Sequence, residues 1–172
     1  MKEKTNDKNR VGKAVVKHMR ILTMLLILVL AMAAPVNAKG GTRFLTATRI
    51  TKTVLDKLDL ENIDKVMIVA HPDDEMLWGG MHLIQDDYLV VCLTNANTRR
   101  YGKTRMREFK KVMEQTNDIG LMLNYPDYSS TGGIDNWTSC SKRIQEDLNT
   151  LLTYKNWKEV VTHNKQGEYG HK

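Results

Sequence analysis

Apolar residues fall along this chain in two kinds of run. Val66-Met67-Ile68-Val69-Ala70 and Tyr88-Leu89-Val90-Val91-Cys92-Leu93-Thr94 are continuous. Short continuous runs mark strands covered on both faces, as in a parallel sheet. Residues 65–70 and 88–94 therefore read as strands, 121–123 as a short third and 159–162 as a fourth. The second kind of run has helical spacing. Met106, Phe109, Val112 and Met113 share a face of a helix over 104–119, and Ile144, Leu148, Leu151 and Leu152 share a face of one over 139–154. Gly120 reads as the C-cap of the former, and Ser139 or Ser141 as the N-cap of the latter. A further helix spans 76–85 and contains Gly79-Gly80. Each glycine costs a helix roughly 1 kcal/mol, which close packing against a sheet would explain. Ahead of the first strand, 39–51 reads as a polar lead-in, and 54–55 with 58–63 as a short packed helix.

Strands thus alternate with helices, which implies a parallel sheet between two helical layers. The fold expected is a Rossmann-like α/β three-layer domain with a mostly parallel sheet. It lacks the glycine-rich dinucleotide fingerprint, which excludes nucleotide binding of that type. A sheet of four strands is small and its last edge would be bare, so the domain reads as cut short at its C-terminal end.

Charge changes the picture only at the N-terminus. The formal net charge is +6, but residues 1–38 carry seven Lys/Arg and two Asp/Glu, against nineteen and eighteen in 39–172. The body has no basic field for nucleic acid. The leader is basic to Arg20, apolar from Ile21 to Ala34, and ends in Pro35-Val36-Asn37-Ala38. A span needs about 20 apolar residues, so 1–38 reads as a cleaved export signal. The alternative is an uncleaved membrane anchor. The organisation expected is export signal 1–38, lead-in 39–63 and folded domain 64–172, with membrane contact only through the signal. The two cysteines, Cys92 and Cys140, read as buried or free thiols and not as a zinc cluster.

Chemistry concentrates at two strand ends. After the first strand comes His71-Pro72-Asp73-Asp74-Glu75. With a helix starting at Asp73 or Asp74, His71 and Asp74 converge above the strand end, a partial shell suited to zinc. Asp73 points elsewhere, as a general base would, and Glu75 is placed to steady His71. The plainer alternative is that these acids only cap a first helical turn. After the last strand comes His163, then Gly167-Glu168-Tyr169-Gly170-His171, a loop rich in site-forming residues. His82, within a helix, has no such setting.

The Ala70-His71-Pro72-Asp73-Asp74-Glu75 run, with Gly79-Gly80 after it and Tyr169-Gly170-His171 in the later loop, resembles the PIG-L/LmbE-like family of zinc-dependent N-deacetylases. The resemblance covers about 64–172. It implies zinc (Zn2+) as cofactor, with His71 and Asp74 as ligands and Asp73 as the base that takes a proton from water. It assigns His171 to the tetrahedral intermediate and the leaving amine, and Tyr169 to the oxyanion. Arg105, three before Glu108, and Asp127 match positions near the substrate. Arg105 and Glu108 are equally readable as a surface ion pair worth tenths of a kcal/mol.

Two departures stand out. The family's third zinc ligand would fall at position 174, past Lys172, so the sequence reads as a fragment, or else His171 or His163 substitutes. Ala96 stands where the family often has glycine. The function expected is removal of the acetyl group from an N-acetylated sugar or glycoconjugate. The alternatives are a non-catalytic carbohydrate- or metal-binding remnant and another metallohydrolase such as a phosphoesterase.

Overall fold

The continuous apolar runs form the middle of a five-stranded, all-parallel sheet in a computed structural model that describes residues 41–96, 102–127 and 137–166. The strands are β1 (Phe44–Thr46), β2 (Lys65–Val69), β3 (Leu89–Thr94), β4 (Ile119–Tyr125) and β5 (Glu159–Thr162). The helices are α1 (Lys52–Leu55), α2 (Asp74–Leu77), α3 (Gly80–Gln85), α4 (Gly102–Thr116) and α5 (Ser141–Tyr154). Every residue of β3 is buried, and every residue of β2 but the first.

Burial on both faces follows from two separate apolar layers. On one face Ile144 and Leu151 of α5, with Leu55 of α1 and the nearby Leu58, pack with Ile68 and Val91. On the other, Leu83 of α3 and Phe109 and Met113 of α4 pack with Met67 and Val90. This is the three-layer α/β arrangement expected.

Strand order is β1-β4-β3-β2-β5. The chain winds outward from β2 through β3 to β4, then returns to lay β5 on the free side of β2, with Ile68 opposite Thr162. The winding direction therefore reverses between β2 and β5. In open α/β sheets a crevice opens at that point, beyond the C-terminal strand ends. One irregularity lies nearby: Cys92 pairs with Met122 but Thr94 with Tyr125, so β4 carries an extra residue just before its end.

Several local expectations are corrected. The lead-in contributes a strand, since Phe44–Thr46 pairs with β4. Its helix is confined to Lys52–Leu55, while Leu58, Leu60 and Ile63 enter the core as irregular chain. The helix expected over 76–85 is broken into α2 and α3. A Cβ on Gly79 would lie 2.5 Å from Met67 Cε and 2.9 Å from the Glu75 carbonyl, so the sheet does approach here as closely as the glycine pair implied.

Gly120 is not a C-cap. It sits inside β4, where a Cβ would lie 2.8 Å from Phe44 and 2.9 Å from Met113, and Asn117, at φ 63°, takes the left-handed position after α4. Neither Ser139 nor Ser141 caps α5. Cys140 holds that position without a side-chain cap bond, and it is buried, as is Cys92. The leader over 1–38 lies outside the described residues. Among the described residues no helix is long and apolar enough to cross a membrane.

Candidate functional site

The chain leaves β2 at Val69 and turns sharply into α2. The amides of Asp73 and Asp74 both bond back to the His71 carbonyl, at 3.1 and 3.3 Å. Asp73 takes φ 157°, ψ −24°, well away from the ordinary wells of an L-residue. Strain of this kind clusters at functional sites. Two side chains close the turn: Asp74 Oδ2 accepts the His71 amide at 2.8 Å and Glu75 Oε2 accepts the Asp73 amide at 2.9 Å. The acids do stabilise the turn, as the plainer alternative held. Glu75 does so through the Asp73 amide. Burial pushes its carboxyl up to about 7.

The same Asp74 oxygen is where the site converges. His71 Nδ1 lies 3.5 Å from Oδ2 and His163 Nε2 lies 3.2 Å from it. His163 arrives because it directly follows β5, and the Ile68–Thr162 register sets the residue after Thr162 beside the end of β2. Burial raises the Asp74 pKa, but hydrogen bonds from His163, His71 and the His71 amide outweigh it and hold the carboxyl well below the usual range. The opposite ring nitrogen of His71, Nε2, lies 2.9 Å from Asp127 Oδ1. Hydrogen bonding to Asp74 and the charge of Asp127 raise the His71 pKa against the effect of burial.

Asp73 stands apart from this cluster. Its Oδ2 is 3.3 Å from Arg105, and burial raises its pKa more than the Arg105 charge lowers it. Arg105 also lies 3.3 Å from Glu108, so the helix-surface pair and the approach to the site are both present. Asp127, expected near the substrate, faces His71. Tyr169 and His171 lie outside the described residues. Ala96 is at φ 47°, which gives a physical reason for glycine at that position. His82 is remote from the cluster: its Nδ1 lies 3.3 Å from the Tyr88 hydroxyl and 3.6 Å from Glu159, at the opposite end of the strands.

Sequence reasoning missed what holds Asp127 in place. The Trp137 indole donates to the Pro126 carbonyl at 2.6 Å, and the Tyr125 hydroxyl donates to Asp147 at 2.7 Å. The one signal was Asp147 itself, an acid on the apolar stripe of α5 between Ile144 and Leu151.

Donor geometry tests the zinc that the resemblance implies. Two donors on a tetrahedral zinc ion lie about 3.3 Å apart, close to the 3.5 Å between His71 Nδ1 and Asp74 Oδ2. That pair fits. The Nε2 of His163 is 3.1 Å from the Ala70 amide and accepts that N–H. It can accept there or, once protonated, donate to Asp74; in neither state does that nitrogen offer a lone pair to a cation. Among the described residues no group of three His, Cys, Asp or Glu side chains is arranged to hold a metal ion.

Known proteins supply an independent comparison. The PIG-L family model, described as GlcNAc-PI de-N-acetylase, matches residues 66–172. An uncharacterized protein of Acanthamoeba polyphaga mimivirus is 36% identical over 121 residues, covering 63% of this chain and 52% of that protein. The chain thus spans about half the length of the curated relative it matches. No solved structure matches.

Proposed function

Since the chain belongs to the PIG-L (GlcNAc-PI de-N-acetylase) family over residues 66–172, we propose that it serves a zinc-dependent hydrolase that removes the acetyl group from an N-acetylated amino sugar or glycoconjugate. One observation carries this reading: His71 and Asp74 meet at a common point while Asp73, two positions from His71, is turned toward Arg105. That separates a pair of metal donors from a carboxylate free for proton transfer.

His71 and Asp74 would hold the ion. Zinc, when bound, supplies a Lewis acid that brings the pKa of water toward about 7. Asp73 accepts the proton of the attacking water, and Arg105 fixes the carboxylate that does so. A C–O bond forms at the acetamide carbonyl and the C–N bond breaks. The proton held at Asp73 is returned to the nitrogen, giving acetate and a free amine. Tyr169 and His171 are assigned by the family pattern to the oxyanion and the departing amine. The basic and apolar leader supports export, with membrane attachment through that leader as the alternative.

The test is made on the 172-residue chain with added zinc and N-acetylglucosamine conjugates as substrates. Retained zinc in near-stoichiometric amount, with equal release of acetate and primary amine, is the expected result. A second reading, a binding remnant without turnover, draws support from the absence of a third donor beside His71 and Asp74 among the described residues. It predicts that no zinc survives dialysis and no acetate appears. Release of phosphate from phosphate esters, without acetate release, would replace both with a phosphoesterase.

A further inference from the structure

We infer that Asp147 and Tyr125 are positioning residues for this site, forming a buried brace that sets Asp127 against His71. For catalysis the inference rests on the function proposed above; as geometry it stands by itself.

Tyr125 is the last residue of β4 and lies in the core, only two positions before Asp127. Its hydroxyl donates to Asp147 Oδ2 at 2.7 Å. The other oxygen, Oδ1, accepts from Arg49 Nε at 2.8 Å, and a second Arg49 nitrogen reaches Glu146 at 2.9 Å. Three segments are thereby tied at one carboxylate: the chain after β1, the end of β4, and α5.

Between Tyr125 and Asp127 stands Pro126, whose ring fixes its φ and whose carbonyl is held by the Trp137 indole. The peptide that presents Asp127 is therefore pinned by a phenol on one side and an indole on the other. The extra residue of β4 lies just before it, and bulges of this kind re-aim the side chains that follow.

Stability alone is a poor reason for such a brace. Asp147 is 1% exposed but its partner Arg49 is 37% exposed, and the cost of desolvating a carboxylate offsets much of what a half-solvated ion pair contributes. Placement is a better reason. The Asp127–His71 contact is a single 2.9 Å hydrogen bond, and movement of the β4 end by about 1 Å would break it.

Tyr125→Phe keeps the ring in the core and deletes only the hydroxyl. Turnover is measured for Tyr125→Phe, Asp127→Asn and the double variant. Tyr125→Phe is expected to lower kcat by about 10- to 100-fold with little change in KM. In the Asp127→Asn background the same substitution should add nothing further, because the brace acts only through Asp127. Additive losses would overturn the inference. A second readout needs no activity: the His71 imidazole nitrogen resonances of the metal-free protein. They should shift in Tyr125→Phe toward their values in Asp127→Asn; an unshifted signal overturns the inference. Should the parent chain release no acetate, the proposed function fails, and the resonances alone decide the brace. Should Tyr125→Phe not fold, Asp147→Asn, which keeps the side-chain shape, is read by the same two criteria.

Discussion

His163 Nε2 lies 3.2 Å from Asp74 Oδ2 and 3.1 Å from the Ala70 amide. One ring nitrogen at the end of β5 is thus within reach of both the backbone and the acid of the β2 turn, accepting from the first when it is unprotonated and donating to the second when it is protonated. The two strands lie side by side, so the contact spans the point where the sheet reverses its winding.

His163→Ala should loosen that junction. The Ala70 amide loses its acceptor, and a typical lost hydrogen bond costs about 1 kcal/mol. Hydrogen exchange at Ala70 should accelerate selectively, and the urea midpoint should fall modestly. Unchanged protection at Ala70 would show that the bond has no part in holding β5.

Asp73→Asn should separate binding from chemistry. The substitution leaves His71 and Asp74 in place, so zinc content is expected to match that of the parent chain. The neutral amide cannot take a proton, and kcat should fall by about 100- to 10,000-fold. Parent-like turnover with this variant would remove Asp73 from the mechanism.

Asp118 governs a pH dependence away from the site. Its Oδ1 accepts the Tyr88 amide at 2.7 Å, while its buried Oδ2 has no hydrogen-bond partner. Burial pushes the carboxyl up to about 6 from 3.8, against the Thr116 hydroxyl, the Tyr88 amide and the Arg43 charge, with Asp87 adding to the rise. Between those two values the folded chain holds a proton that the unfolded chain has released. This group's contribution to stability therefore falls as pH rises from about 4 to about 6, by something on the order of 2 kcal/mol. Asp118→Asn keeps an acceptor for Tyr88 and should flatten that slope, as urea midpoints measured across the interval would show.

The two glycines between α2 and α3 should behave oppositely. Gly79→Ala forces a Cβ to 2.5 Å from Met67 and 2.9 Å from the Glu75 carbonyl, and overpacking of this kind costs about 1–3 kcal/mol. Gly80→Ala meets nothing nearer than Met76 at 3.6 Å, so it should be neutral or stabilise by up to about 1 kcal/mol through helix propensity. Thermal midpoints of the two variants provide the comparison.

The elements legible in the sequence were those whose signal is local and repeated. Runs such as 88–94 need cover on both faces wherever they lie, and the spacing of Phe109 and Met113 fixes a helix face without reference to the sheet. Phe44–Thr46 is too short to show a period, and only its pairing with β4 makes it a strand. Gly120 carried a strong helix-end signal, but the crowding of Phe44 and Met113 that requires a glycine there is set by tertiary packing. At the site, the pattern of His71, Asp73 and Asp74 was readable because all three fall within four consecutive residues of one turn. The Asp74–His163 and Asp127–His71 contacts were not, since each depends on which strands become neighbours.

That dependence has a consequence for how the protein comes into being. The β2 turn can form early from adjacent residues, but its partner histidine is made almost ninety residues later and reaches it only when β5 docks. Contacts of such long range close late in folding. The cluster around Asp74 is therefore a report of that docking: a chain that has stalled before β5 joins the sheet carries the motif but has not yet assembled this histidine–carboxylate junction.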